Sequence, residues 1–335
     1  MALTRRPVAA DVDELLAGAG SRQPFRPADA RSSATFERVE LDGERCIVKY
    51  VHVDHDFALR SAGDIGCLPL RLWACGAMDV APTVIDHAVL GAAPWGRNGW
   101  GAAIVMRDVG AELVPLGDEP VGEATHVAAI EHLAAMSARM WGWHDDVGLL
   151  PYGQRWCTFA PVSVATERDL GYPEPVPRLA MEGWARFAGR VPAVLRETVG
   201  ALHADVGPLA EALGATPSTF IHGDWKFGNL GRAGDGRTVL IDWAYGGEGP
   251  VAHELAWYLA LNRARLPQGH TKESTIDDLR IALGRHGVDT APWWDRQLAL
   301  GLLGAVVQFG WEKAFGDEAE LDWWVERAID GAAML

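Results

Sequence analysis

From Thr35 to Val51 the chain carries two runs rich in β-branched and aromatic residues, Thr35-Phe36-Glu37-Arg38-Val39-Glu40-Leu41 and Cys46-Ile47-Val48-Lys49-Tyr50-Val51, on either side of Asp42-Gly43. An Asp-Gly pair in that setting predicts a hairpin, because both residues accept the positive φ of a tight two-residue turn. Between Asp56 and Gly76 the apolar positions Leu59, Leu68, Leu70, Leu72 and Trp73 favour a helix that Gly63, Gly66 and Pro69 interrupt, so a broken helix is expected. Residues 83–89 and 102–106 are short apolar runs flanking a turn-rich stretch at 91–101, and they read as a second hairpin. After Gly110 the texture changes. Ile130, Leu133, Met136, Met140 and Trp141 recur at helical spacing, and further helical patterns cover residues 184–213, 253–265, 276–286, 293–315 and 321–333. One β island interrupts them: residues 219–221, then 230–232 and 237–242 around a Gly234-Asp235-Gly236 turn. A strand-rich first third followed by a helical remainder predicts an α+β chain of two lobes, with residues 1–106 forming the smaller β-rich lobe and residues 107–335 the larger helical one.

Length and composition narrow the picture without deciding it. At 335 residues the chain suits two domains or one bilobal unit, and 49 % hydrophobic against 22 % charged residues excludes wholesale disorder. The longest apolar run, 298–307, is far shorter than the ~20 residues a bilayer demands, and Asp11, Asp13 and Glu14 break any leader-like apolar stretch near the N-terminus. The four cysteines have neither a close pair nor zinc-site spacing, so reduced thiols and a cytoplasmic location are expected. With 30 Lys+Arg against 45 Asp+Glu the net charge is −15, which argues against nucleic acid as a partner. Oligomeric state is not legible.

The β island holds the chemistry. It reads Phe220-Ile221-His222-Gly223-Asp224-Trp225-Lys226-Phe227-Gly228-Asn229-Leu230, then Leu240-Ile241-Asp242-Trp243. An Asp followed five residues later by Asn, with a second Asp closing the next strand, matches the loop that kinases use to orient an acceptor and hold a metal. A buried hairpin with polar turn residues does not need those three residue types at those intervals. A metal hydrolase using His222 and Asp224 as ligands lacks further ligands at metal-site spacing.

The pattern His-Gly-Asp-x-x-x-x-Asn followed by Ile-Asp resembles the aminoglycoside phosphotransferase and choline kinase superfamily. That resemblance implies a protein-kinase-like fold, ATP and Mg2+ as cofactors, and transfer of the γ-phosphoryl group to a hydroxyl of a small molecule such as an aminoglycoside, a sugar or an amino-alcohol. It casts Asp224 as base and positioner, and Asn229 with Asp242 as hard oxygen ligands for magnesium. Lys226 either neutralises the moving phosphoryl group or is solvated beside the substrate, and His222 braces the loop. Lys49, on its β-branched run, takes the place of the lysine that holds the α- and β-phosphates, with a solvated strand lysine as the alternative. The loop preceding the first strand, with Ser33, is expected to cover the phosphates. The partner glutamate of Lys49 is missing, since no Glu lies between Lys49 and Met106; Asp64 is the expected substitute and Asp56 the runner-up. Met106, Asp108 and Val109 are expected at the hinge, where main-chain groups read adenine, although a core strand fits Met106 equally well. Relatives build the acceptor pocket from helices after the Ile-Asp segment, here containing Glu254, Trp257, Gln308, Trp311, Glu312 and residues 322–324. Core packing is the default for most of the fifteen tryptophans. A nucleotide-binding pseudokinase with a regulatory partner is the alternative function.

Overall fold

Three antiparallel strands open the chain, β1 (Arg22–Phe25), β2 (Thr35–Leu41) and β3 (Glu44–His52). They are seen in a computed structural model that describes residues 6–27, 34–172 and 174–335; Ser33 lies outside the described residues. Asp42 and Gly43 turn the chain between β2 and β3 with φ of 50° and 82°, the positive values that an Asp-Gly turn accommodates. Successive β3 side chains face opposite ways. Cys46, Val48 and Tyr50 join Val39, Ala103 and Val105 on the outer face, which the short helix Val12–Leu15 covers, whereas Val51 and the neighbouring-strand Ile104 turn into the main core.

The second hairpin differs from the expected one. Strand β4 (Ile85–Asp86) leaves this sheet, and the hairpin is made by β5 (Val89–Trp95) and β6 (Gly101–Arg107). The sheet order is β1-β2-β3-β6-β5, so β5 lies at an edge. Gly91 and Pro94 gave residues 91–95 the look of a turn, but an edge strand tolerates proline, and the small Ala92 and Ala93 are fully buried there. The broken helix is present as Phe57–Ser61, capped by the Asp56 side chain, and Leu68–Cys75.

Past the sheet, the helix Glu123–Arg139 begins the helical lobe. The expected helix at 184–213 is three pieces, Pro175–Arg190, Ala193–Ala204 and Gly207–Gly214, because Pro192 and Pro208 each start a new helix. Then come β7 (Thr219–Ile221), β8 (Leu230–Arg232), β9 (Thr238–Leu240) and β10 (Gly247–Gly249), of which β8 and β9 form a hairpin that β4 joins in parallel, while β7 pairs with β10. Helices Val251–Asn262, Lys272–Arg285, Trp294–Lys313 and Glu318–Ala332 complete the chain. Trp294–Lys313 is buried on nearly every side, and it is packed tightly enough that a Cβ on Gly304 would meet the Trp156 indole at 2.6 Å. Among the described residues no helix is long and apolar enough to cross a membrane. The four cysteines carry free thiols.

A buried ion cluster ties the two lobes together. Arg60, on the short helix after β3, donates to Glu167 at 2.6 Å and to Glu174 at 2.8 Å, and its guanidinium lies 3.6 Å over the Tyr172 ring. Arg60, Glu167 and Glu174 side chains are 9 %, 6 % and 3 % exposed, so water screens the cluster little. Removing the arginine strands two buried carboxylates, a change that typically costs about 3–5 kcal/mol. Arg60→Ala should therefore lower unfolding free energy by roughly that amount in urea titrations, and Glu174→Gln by less, since Glu167 still pairs with Arg60; equal small losses in both would show that the cluster is not holding the lobes.

Candidate active site

The two ends of the sequence pattern meet across the cleft. The Lys49 Nζ, on β3, lies 2.7 Å from Asp242 Oδ1, just beyond β9. Burial disfavours the Lys49 ammonium, but Asp242 more than offsets this and the lysine pKa rises; burial likewise works against the Asp242 carboxylate, and Lys49 draws its pKa down. The Asp242 side chain keeps 36 % of its surface exposed, so one oxygen serves Lys49 while the carboxylate still faces the cleft. Asp242 also has φ of 63°, a left-handed conformation that costs a non-glycine residue about 1 kcal/mol or more and that recurs at functional sites.

Asp224 is buried, and both its oxygens are claimed. Oδ2 accepts from Lys226 Nζ at 2.8 Å and from Asn229 Nδ2 at 2.7 Å, and Oδ1 accepts from Trp257 Nε1 at 2.7 Å. Burial raises the Asp224 pKa, with Lys226 pulling the other way. Asn229 spends its Nδ2 on Asp224, at the carboxylate and at the main-chain oxygen 3.0 Å away, which turns Oδ1 away from that loop. Trp257 was expected in the acceptor pocket or the core; the fold instead brings its indole N–H to the Asp224 carboxylate, a contact the sequence did not indicate.

Behind the loop sits the helix Val251–Asn262. Glu254, fully buried, accepts the Gly223 amide at 2.7 Å, and Asn262 Oδ1 accepts the Phe227 amide at 3.1 Å. Gly223 has φ of 79°, and a Cβ there would come within 2.4 Å of the Tyr245 carbonyl, so glycine is required. Burial raises Glu254 to about 7, against the Gly223 amide and the buried Arg155, which both favour its charge. His222 is likewise buried; its Nδ1 accepts the Asp224 amide at 3.3 Å and its ring meets Trp243 edge-on at 4.7 Å. The expected bracing geometry of His222 is thus in place.

The remaining candidates divide. Asp64 does not face Lys49: its carboxylate accepts the Leu68 amide at 2.5 Å and Arg71 at 3.2 Å, because the glycines that break the helix turn it back on its own loop. Of the two expected substitutes for the glutamate, Asp56 is the one whose charge reaches Lys49, and it simultaneously caps Ala58 at 2.9 Å. Met106 lies inside strand β6, one residue before its end, opposite Ile47 and Val89. The Asp108 amide donates to Arg45 O at 3.0 Å, and Val109 is buried against Ala88 and Val239. Of the expected acceptor residues, Trp324 donates to Glu320 at 2.7 Å inside the core, whereas Trp257 reaches Asp224 and packs against two rings outside the expected set, centred 5.8 Å from Tyr245 and 4.8 Å from Phe309.

A profile of the phosphotransferase enzyme family matches residues 70–286, which include Asp224, Asn229, Asp242 and the helix behind them. The chain belongs to that family. No curated protein sequence matches this phosphotransferase. Among solved structures it is similar to choline kinase LicA from Streptococcus pneumoniae, at 14 % identity over 96 % of each chain with a TM-score of 0.50. It is also similar to a microcompartment-associated aminopropanol kinase, at 13 % identity over 97 % of this chain and 93 % of that one with a TM-score of 0.52. These likenesses establish the fold, so the expected kinase-like α+β architecture holds.

Burial keeps the His222 and His253 imidazoles neutral by pushing both pKa values down to about 3, from 6.5 when unfolded. The unfolded phosphotransferase takes up those protons first, so stability is complete above about pH 6.5 and is lost as pH falls toward 3. Each imidazole contributes a slope of up to ~1.4 kcal/mol per pH unit in that window. Urea unfolding between pH 7.5 and 5 should show the decline, and His222→Asn, which keeps an acceptor for the Asp224 amide, should flatten it by about one proton. An unaltered slope would mean that His222 is not held neutral.

Proposed function

We propose that this phosphotransferase moves the γ-phosphoryl group of ATP to a hydroxyl of a small molecule, with Asp224 positioning the hydroxyl and taking its proton. The observation that carries the reading is the convergence of Asp224, Asn229, Asp242 and Lys49 on one cleft through the Lys49–Asp242 bond of 2.7 Å. Asp224 is fixed by three donors yet stays raised in pKa, which suits a group that must accept a proton only when a hydroxyl is presented. Lys226, still one third exposed, is placed to meet charge on the transferred group. The choline kinase similar in fold has been solved in complex with AMP, which supports a nucleotide in the corresponding cleft. In this reading residues 1–106 form the nucleotide lobe, Lys49 meets the α- and β-phosphates, and the stretch holding Met106, Asp108 and Val109 borders the adenine.

The residues fit magnesium. Asp242 acts as a like charge on both Asp56 and Asp224, and Lys49 and Lys226 oppose these three carboxylates, leaving an excess of negative charge before any phosphate enters. Asn229 and Asp242 supply the hard oxygens, and magnesium, when bound, neutralises phosphate charge. In this reading the acceptor hydroxyl approaches Asp224 beside the partly exposed Tyr245 ring, whose face suits a sugar ring or an amino-alcohol, while the buried Trp257 and Phe309 support that ring from behind.

The test is ATP turnover with magnesium across a panel of amino-sugars, sugars and choline-like alcohols. With an accepted alcohol, Asp224→Asn should lower kcat on the order of a hundredfold or more while leaving the ATP KM close to the parent value. Near-normal kcat in that variant would remove Asp224 from the chemistry. Asp242→Asn should abolish magnesium-dependent turnover without unfolding the protein. Lys49→Ala should act mainly on the use of ATP. Nucleotide binding with no turnover on any acceptor would favour instead a regulatory pseudokinase, a reading that rests on the absence of a glutamate beside Lys49.

A further inference from the structure

Away from the cleft, three potential metal ligands converge from separate elements. His126 lies on the helix Glu123–Arg139, His270 on the loop that precedes the helix Lys272–Arg285, and Asp278 on that helix itself. One nitrogen from each histidine and one carboxylate oxygen all lie within 4.8 Å of one another. The rings of His126 and His270 meet edge to face, with centroids 4.9 Å apart. Nothing in the phosphotransfer reading uses any of the three.

The hydrogen bonding of both histidines is incomplete. His126 is fully buried, yet its Nε2 has no partner among the described residues, and the buried Nδ1 of His270 has none either. Such groups are rarely left unpaired, so two orphaned imidazole nitrogens beside a carboxylate require an explanation. The opposite nitrogen of His126 is engaged: Nδ1 lies 2.8 Å from the Tyr258 hydroxyl, which is itself buried in the core. A bond at Nδ1 is the outer contact that orients a metal-binding imidazole and leaves the Nε2 lone pair pointing inward. The loop is shaped to present His270, since Gly269 takes φ of 86° and the His270 amide donates to Pro267 O at 3.0 Å. Thr271 then starts the next helix with a reciprocal cap to Ser274.

We propose that His126, His270 and Asp278 bind a divalent transition-metal ion of the zinc type, clamping the loop 267–270 and the helix Lys272–Arg285 onto the helix Glu123–Arg139. Two imidazoles and one carboxylate are a borderline donor set suited to zinc and cobalt, and unlike the all-oxygen set that magnesium takes at the cleft. A tetrahedral ion with bonds of ~2.0–2.1 Å spaces its ligands by roughly 3.4 Å, so modest side-chain rotation closes the cluster. Three protein ligands leave a fourth position for water. The role is structural, yet it touches the active site through one residue: Tyr258, bonded to His126, packs edge-on against Phe227 of the Asp224 loop with centroids 5.3 Å apart.

The test uses tag-free full-length protein, stripped with chelator and titrated with Co2+ and then Zn2+. The wild-type protein should bind one equivalent of Co2+ with visible d–d absorption, lose that spectrum to Zn2+, and gain about 3 °C or more in Tm at a hundredfold excess over Kd. His270→Ala and Asp278→Asn, both at partly exposed positions, should lose the spectrum or weaken binding at least tenfold, while their chelator-treated Tm matches that of the treated wild type. Asp242→Asn should retain the full equivalent. Absence of a bound equivalent in the wild type would overturn the proposal and assign the cluster to a buried water. Binding that survives in His270→Ala and Asp278→Asn but is lost in Asp242→Asn would overturn it too, placing the ion at the cleft.

Discussion

The contact on which the rest of the structure depends is the ion pair between Lys49 and Asp242. It joins residues 193 positions apart in sequence, one on the five-stranded sheet and one beyond the small sheet of the helical lobe. Taking either charge out of water is costly, and the pair persists because each partner offsets the burial of the other. Asp56 adds a second negative charge near Lys49, so the lysine is held cationic from two sides. The lobes are thus registered at the place where a nucleotide's phosphates are proposed to lie; in that proposal an entering phosphate competes with Asp242 for the same ammonium, and Lys49 has a resting partner and a working one.

A second constraint acts on the loop. Three residues of the helix Val251–Asn262, spread over about two turns, each reach a different point of the segment from His222 to Asn229: Trp257 a side-chain oxygen of Asp224, Glu254 the amide of Gly223 and Asn262 the amide of Phe227. Buried main-chain groups in an irregular loop have to find partners, and here the helix supplies them. Glu254 does so at the expense of its own burial, which Arg155 relieves, although that arginine is itself fully buried and drawn down to about 10 by loss of solvent. The loop is held by a stack of polar groups whose members are each unfavourable alone.

Sequence carried much of this. The Asp42-Gly43 turn followed from local conformational preference, and the Asp224, Asn229 and Asp242 intervals followed from chemistry that admits few residue types. What stayed hidden was decided by tertiary contact. Residues 91–95 looked like a turn because strand propensity penalises glycine and proline, a penalty that vanishes at a sheet edge over small buried neighbours. Asp64 was preferred over Asp56 on spacing within a helix, but the helix break at 62–67 reverses the chain and hands Asp64 to Arg71. Arg60 gave no warning, since an isolated arginine on a short helix looks solvated until Glu167 and Glu174, over a hundred residues later, close around it. The residue at Trp257 was named in the sequence, but a hydrogen bond from an indole to a distant carboxylate has no spacing to betray it.

The helix Val251–Asn262 connects these observations into one mechanical unit. It has almost no polar face, every residue but Leu261 being buried, so no solvent side sets its rotation, and polar contacts add to core packing in fixing its register. Trp257, Glu254 and Asn262 fix that register toward the Asp224 loop, and Tyr258 fixes it toward His126. Because these side chains leave one rigid helix, a rotation that improved one contact would strain the others. The position of the Asp224 carboxylate is therefore set jointly, by Lys226 and Asn229 of its own loop and by Trp257 of the helix behind it, and anything that anchors Tyr258, including an ion on His126, bears on the same rigid body.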